Sequence, residues 1–295
     1  MNMDIINMQT NSSSLVNRKQ ELNIGKILLD IGKITAEDAE RVIQLQKREG
    51  IRFGEAAQKL RLITEDDIRY VLSLQFDYPY LHPSEGGFSQ SLVAAYAPFS
   101  PQVEALRALR TQLILRWFNE GHKALAVISP NGGEGASHLA ANLAIVFSQL
   151  GEHTLLIDAN LRNPTQQKLF NIKEPRGLSD VLAARVGFSE VAVKVPSFVD
   201  LTVLGAGTIP PNPQELLGRA SFAALMNQAQ SQYDVVIVDN TPANGSSDVQ
   251  ATAKACEGVL LVSKLNETRL TELTQVRDQM LMTGAQIVGA VINEF

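Results

Sequence analysis

The chain has 295 residues, with 26 basic and 31 acidic side chains, a formal net charge of −5, 45% hydrophobic and 19% charged residues. That length suits two modest domains with real cores, and the acidic balance excludes a protein devoted to coating nucleic acid, which needs a concentrated positive surface. The single cysteine, Cys256, excludes an internal disulfide and a cysteine-rich metal centre and reads as a buried structural thiol. In chain order, residues 1–22 are rich in Asn, Gln and Ser without periodicity and read as a disordered lead. They lack the apolar core of a signal peptide, and no run reaches the roughly 18 apolar residues of a membrane span, so a cytoplasmic protein is expected.

Residues 23–82 hold an internal repeat: IGKILLDIGKITAEDAERVIQLQ aligns with FGEAAQKLRLITEDDIRYVLSLQ, with Gly25 on Gly54, Thr35 on Thr64, Leu45 on Leu74 and Gln46 on Gln75. Each copy is predicted as helix, turn, helix. Thr35 and Thr64 are expected as N-caps, with Asp38 and Asp67 near the helix starts where negative charge is favourable. A small all-α domain follows. Residues 83–100, in a stretch rich in proline and glycine that still carries aromatic residues able to dock, read as a linker. From Pro101 an amphipathic helix runs to about Phe118. Apolar strands are then expected near Ala124–Ser129, Thr154–Asp158, Leu201–Leu204, Val235–Asp239, Val259–Ser263 and Ile287–Ile292, with helical patterns between most of them. Residues 101–295 are therefore predicted as an α/β domain, a parallel sheet covered by helices on both faces.

SPNGGEGASHLAANLA, Ser129 to Ala144, joins the first of these strands to an amphipathic helix. A strand entering a glycine-rich turn that opens a helix aims N–H groups and a positive helix end at one point, which suits a phosphate. Against the pattern G-x-x-x-x-G-K-[ST], Gly135 and Ser137 fit, Pro130 takes the first glycine position, and Ala136 stands where a lysine brings charge to the phosphates. Two apolar runs end in Asp158 (LLIDANLRNP) and Asp239 (VVIVDNTP). In an open parallel sheet, carboxylates at strand ends converge on the crevice that holds the ligand, which makes both candidate Mg²⁺ ligands. The alternative is that each caps the turn or helix that follows.

The order EALRALR, GEGAS, LLIDANLRNP, GTIPPNPQELL, VVIVDNTP and NETRLTEL resembles bacterial tyrosine kinases of polysaccharide export over about Pro101 to Phe295, most closely the EpsG type that works beside a membrane-anchored chain-length determinant. The resemblance implies a P-loop NTPase fold and an ATP site at Gly132, Gly133, Glu134, Gly135, Ala136, Ser137 and His138. It implies Mg²⁺ at Ser137, Asp158 and Asp239, and catalytic positions at Asp158, Asn160 and Asp239. It implies a ring assembled through the E-x-x-R-x-x-R helix at Glu104, Arg107 and Arg110. Two departures fall in the chemistry: Ala136 replaces the family lysine, and Asn160 replaces the second carboxylate of D-x-D. Arg162, His138 and Lys264 are the candidate replacement cations. The resemblance also implies a tyrosine-rich tail, which the residues to Phe295 do not supply, so no tail-phosphorylation cycle is expected; Tyr78 and Tyr80 are the close tyrosine pair.

The paired repeat resembles the N-terminal (MshE-like) module of type II secretion and type IV pilus ATPases, some of which bind cyclic di-GMP through two copies of R-L-G-x-x-L…Q. Gly25, Leu28 and Gln46 fit the first copy, and Arg52, Gly54 and Gln75 the second, while Asn23 replaces the first arginine and Ala57 a leucine. The reading of the whole is a cytoplasmic, kinase-like P-loop regulator of exopolysaccharide chain length, held at the inner face of the plasma membrane by a partner. The alternatives are a MinD or ParA type of ATPase and a nucleotide-free scaffold.

Overall fold

The computed structural model describes residues 24–75, 80–81 and 85–294, which divide into two compact units parting between Tyr80 and Leu81. The lead over 1–22, Asn23, Tyr78, Phe295 and the side chain of Gln75 lie outside the described residues.

The first unit is helical: a run over 24–30, then α1 (Ala36–Glu49), α2 (Phe53–Lys59) and α3 (Glu65–Gln75). The repeat is visible in its chemistry. Thr35 Oγ1 accepts the Asp38 N–H (3.1 Å) while the Asp38 carboxylate accepts the Thr35 N–H (3.1 Å), and Thr64 and Asp67 repeat the exchange at 3.2 and 2.9 Å. Equivalent positions of the two copies, Leu28 and Ala57, Ile34 and Ile63, Val42 and Val71, share one core. Packing explains the repeated glycine: a Cβ at Gly25 would stand 3.1 Å from the Phe53 ring, and one at Gly54 would stand 3.0 Å from Ile68 Cδ1.

The second unit carries a seven-stranded sheet in the order β3-β4-β2-β5-β1-β6-β7. Its strands are β1 (Ala124–Ile128), β2 (Thr154–Asp158), β3 (Val193–Lys194), β4 (Leu201–Leu204), β5 (Val235–Asp239), β6 (Gly258–Lys264) and β7 (Gln286–Asn293). All neighbours run parallel except the two-residue edge strand β3, which the apolar pattern does not announce. Strands buried on both faces read as unbroken apolar runs, and alternate residues serve opposite layers. Leu125, Val127 and Leu156 pack beneath α4 (Val93–Tyr96), α5 (Pro101–Arg116) and α6 (Ala136–Ser148). Ala126, Ile128 and Leu155 pack against the opposite layer, which includes α7 (Ala220–Gln232), α8 (Asp248–Cys256) and α9 (Leu270–Met282).

Two features tie the front of this unit to the sheet. Asn142 Oδ1 accepts the Ala94 N–H (2.9 Å), and Gln149 Nε2 donates to Ala94 O (2.9 Å), so residues 93–96 are laid on α6. Trp117, after α5, is buried and donates its indole N–H to Ala124 O (2.9 Å). Its ring covers Gly258 so closely that a Cβ there would lie 2.4 Å from Trp117 Cζ2.

Candidate functional site

β1 ends at Ile128, and residues 129–135 turn into α6. Gly133 (φ +81°) and Gly135 (φ +86°) hold left-handed backbone that side chains resist. Glu134 is buried and anchors the loop: its carboxylate accepts the Asn131 N–H (2.9 Å), Asn131 Nδ2 (3.1 Å) and Thr268 Oγ1 (2.6 Å), while Asn293 Nδ2 donates to its carbonyl (2.8 Å). The first intrahelical bond of α6 runs from the Leu139 N–H to Gly135 O (2.9 Å), so the N–H groups of Ala136, Ser137 and His138 precede it and form the positive end of the helix. That end opens on a cavity of about 520 Å³ lined by Ser129 and residues 131–138, by Asn160, Arg162, Asn163 and Thr165, and by residues 240–242 and 244–246. The volume is that of a small-molecule or nucleotide pocket. Ala136 is buried and contributes only a methyl group.

β2 and β5 are neighbours in register, so Asp158 and Asp239 stand side by side at the strand ends, both fully buried. Asp239 Oδ1 accepts Ser137 Oγ–H (3.0 Å), and Oδ2 accepts Gln166 Nε2 (2.7 Å), whose amide also donates to Ser137 O (3.0 Å). Asp158 gathers the following turn: its carboxylate accepts the N–H groups of Asn160 (3.1 Å), Thr165 (2.9 Å) and Gln166 (2.9 Å). Burial pushes the Asp158 carboxyl well above the usual range, and the neighbouring Asp239 carboxylate adds to the rise. The three N–H groups oppose it without cancelling it. Burial also raises Asp239, against the hydrogen bonds from Gln166 and Ser137.

This donor set fits a hard divalent cation. Ser137 Oγ and Asp239 are oxygen donors, and Gln166 Oε1 and Thr241 Oγ1 are buried oxygens without a hydrogen-bond partner among the described residues. No group of three or more His, Cys, Asp or Glu side chains gathers for a metal among the described residues. Mg²⁺ here would therefore draw much of its shell from water and phosphate, as it commonly does.

Asn160 lines the cavity and its Oδ1 accepts the Asn163 N–H (3.0 Å). Of the candidate cations, Arg162 and His138 line the cavity, while Lys264 pairs with Glu267 (2.7 Å) and does not. Gln166, which links Ser137 to Asp239, carries no signature in the sequence; only the turn drawn back by Asp158 brings it there. On α5, Glu104 and Arg107 pair with each other, and Arg110 donates to Val146 O at the far end of α6, so Arg110 serves the unit's own packing. In the helical unit, Gly25, Leu28 and Gly54 are core, Gln46 is half-buried and Arg52 is exposed. Among the described residues no helix is long and apolar enough to cross a membrane.

Residues 123–287 match the family model of the cellulose biosynthesis protein BcsQ. The tyrosine-protein kinase YwqD of Bacillus subtilis (strain 168) is 33% identical over 204 residues, 69% of this chain and 86% of that protein. The chain belongs to the bacterial tyrosine-protein kinase family. The putative tyrosine-protein kinase CapB of Staphylococcus aureus is 30% identical over 197 residues, 67% of this chain and 86% of that protein. Among solved structures, the chimerical protein CapA2B2 superposes with a TM-score of 0.66 at 30% identity, covering 78% of this chain and 98% of that one. The cell division ATPase MinD of Pyrococcus furiosus, at 22% identity and a TM-score of 0.51 over 58% of this chain and 71% of its own, shares the fold alone.

Proposed function

We propose that this chain is a kinase-like P-loop subunit of exopolysaccharide synthesis that binds Mg²⁺–ATP above Asp158 and Asp239 and has weakened phosphoryl transfer. The observation that carries the reading is the junction of Ser137, Asp239 and Gln166 beneath a glycine-rich loop at a helix N-terminus. Ser137 and Asp239 would hold the metal, with Asp158 beside them. Bound nucleotide supplies the phosphoryl group, and the metal neutralises its charge. The chain's own part is to bind phosphate oxygens with the N–H groups of 136–138, to orient Ser137 through Asp239, and to fix the 159–166 turn through Asp158. Asn160 offers an amide where the family pattern has a proton acceptor, and Ala136 offers no charge. Each loss of a preorganised stabiliser costs about 10²–10³ in rate.

The match to a cellulose biosynthesis family supports the polysaccharide context. Similarity to CapA2B2, whose name joins two chains, supports a partner, which we read as a membrane-anchored chain-length determinant that holds this chain at the inner face of the plasma membrane. Self-assembly as a ring would use α5 through Glu104 and Arg107. For the helical unit we favour docking to a protein, because Gly25, Leu28 and Gly54 are consumed by packing. Cyclic di-GMP bound at Arg52 is the other reading, and calorimetry of the full chain with cyclic di-GMP separates the two. Identity to kinases of 30–33% supports the kinase reading over a MinD type of ATPase.

The test is phosphotyrosine formation from labelled ATP by the full chain and by the Ala136→Lys, Asn160→Asp double variant. The double variant should exceed the native chain by about 10²-fold or more. Equal rates would refute the roles given to the two positions, and nucleotide binding by neither would favour the scaffold.

A further inference from the structure

We propose that Arg162 is the phosphate-binding cation of this cavity and that Asp248 holds it in reserve, so that nucleotide draws the guanidinium from a carboxylate to a phosphate. The inference rests on the nucleotide reading above. With Ala136 at the lysine position, the cavity has two basic side chains among its described lining residues, His138 and Arg162, and Arg162 alone is permanently charged. Asp158 and Asp239 are buried side by side at the strand ends, and Glu134 anchors the loop. A cation that contacts the phosphates directly would add to the charge that Mg²⁺ supplies at the metal-bound oxygens.

Arg162 follows β2, and Asp248 opens α8 after β5. Arg162 Nε donates to Asp248 Oδ2 (2.8 Å) and Nη2 to Oδ1 (3.2 Å), a planar fork across the strand ends. The two side chains differ in exposure, 48% for Arg162 against 2% for Asp248, so the pair is anchored on the carboxylate side and open on the guanidinium side. Two of the five guanidinium donors are spent on Asp248. Asp248 keeps a favourable setting when Arg162 leaves, because it occupies the first turn of α8, where the helix end stabilises a carboxylate. The helix end offsets only part of the cost of leaving Asp248 buried and unpaired, so phosphate must out-compete this carboxylate for the guanidinium and the exchange lowers the apparent affinity for nucleotide. Release of Asp248 would also unlink the turn after β2 from α8, which gives the site a means of signalling occupancy to the helix layer.

The test is titration of the full chain with a fluorescent ATP analogue and Mg²⁺, with circular dichroism to establish that each variant is folded. Asp248→Asn weakens the competing carboxylate and should tighten binding several-fold. Arg162→Gln is made in the Asp248→Asn background, so that no unpaired carboxylate is left behind, and should weaken binding about tenfold or more relative to Asp248→Asn alone. Adding Ala136→Lys to that double variant should restore affinity. Equal binding by Asp248→Asn and by the Arg162→Gln, Asp248→Asn pair overturns the proposal while leaving the nucleotide site standing. No binding by the native chain, by Ala136→Lys or by the triple variant overturns the nucleotide reading and this proposal with it.

Discussion

Replacing Asp239 by Asn should stabilise the metal-free protein, and most strongly at alkaline pH. Asp158 and Asp239 are register neighbours on adjacent strands and fully buried, with both carboxyls raised above their ordinary values. A carboxyl raised by folding holds its proton more tightly in the native state. Its stabilising contribution is complete below the unfolded value near 4 and is lost as pH rises through the folded value. The metal-free native chain should therefore lose stability steadily from about pH 4 to pH 8. Two like charges about 5 Å apart, at an effective dielectric constant near 20, repel by about 3 kcal/mol. Asn at 239 removes that repulsion while keeping both contacts: its Oδ1 accepts Gln166 Nε2, and its Nδ2 donates to Ser137 Oγ, whose proton turns away. For a unit of this size, about 3 kcal/mol corresponds to a rise of roughly 6–12 °C in melting temperature at pH 8, shrinking towards pH 5. Thermal unfolding in EDTA, followed through Trp117, the sole tryptophan and a buried residue of this unit, measures it directly. Parallel pH profiles for the two proteins, or a less stable variant at pH 8, would show that the carboxylates do not share a strained site.

Gly258→Ala places a methyl group 2.4 Å from the buried Trp117 ring, which cannot yield, and should cost about 1–3 kcal/mol with a shifted Trp117 emission, measured by urea unfolding. Gln166→Leu removes the amide that joins Asp239 to Ser137 O and should cost about 1–3 kcal/mol, read by the same method, with weakened nucleotide binding. The two arginines of α5 should behave differently in sedimentation and melting experiments. Arg107→Glu, which loses the pair with Glu104, should reduce self-association with a smaller loss of stability than Arg110→Glu, which strips Val146 O of its donor and should lower the melting temperature.

The sheet was legible because parallel strands buried on both faces appear as continuous apolar runs, which placed β1, β2, β4, β5 and β6, while the edge strand β7 was placed from an apolar run that is only partly buried. β3 escaped because its two residues pair antiparallel with β4 through tertiary contact rather than through any period of their own. The helical repeat was legible from its constant offset, since the same caps and the same core positions recur in both copies. Within the site, the loop and the two strand-end aspartates could be read from spacing. Their neighbours could not: Gln166 arrives through the turn gathered by Asp158, and the anchoring of Glu134 depends on Thr268 and Asn293, more than a hundred residues away. The pairing of Arg162 with Asp248 is likewise a product of sheet order, which sets the turn after β2 beside the helix after β5.

The central claim is that the cavity at residues 129–138 is a Mg²⁺-dependent nucleotide site whose affinity is limited by Ala136. Calorimetric titration of the full chain with ATP, with and without Mg²⁺, beside the same titration of Ala136→Lys, tests it most directly. The account predicts weak, Mg²⁺-dependent binding by the native chain and binding at least about tenfold tighter by the variant, since a lysine adds a charge-assisted bond to phosphate. Absence of heat from both chains, or equal affinity in the two, would contradict it.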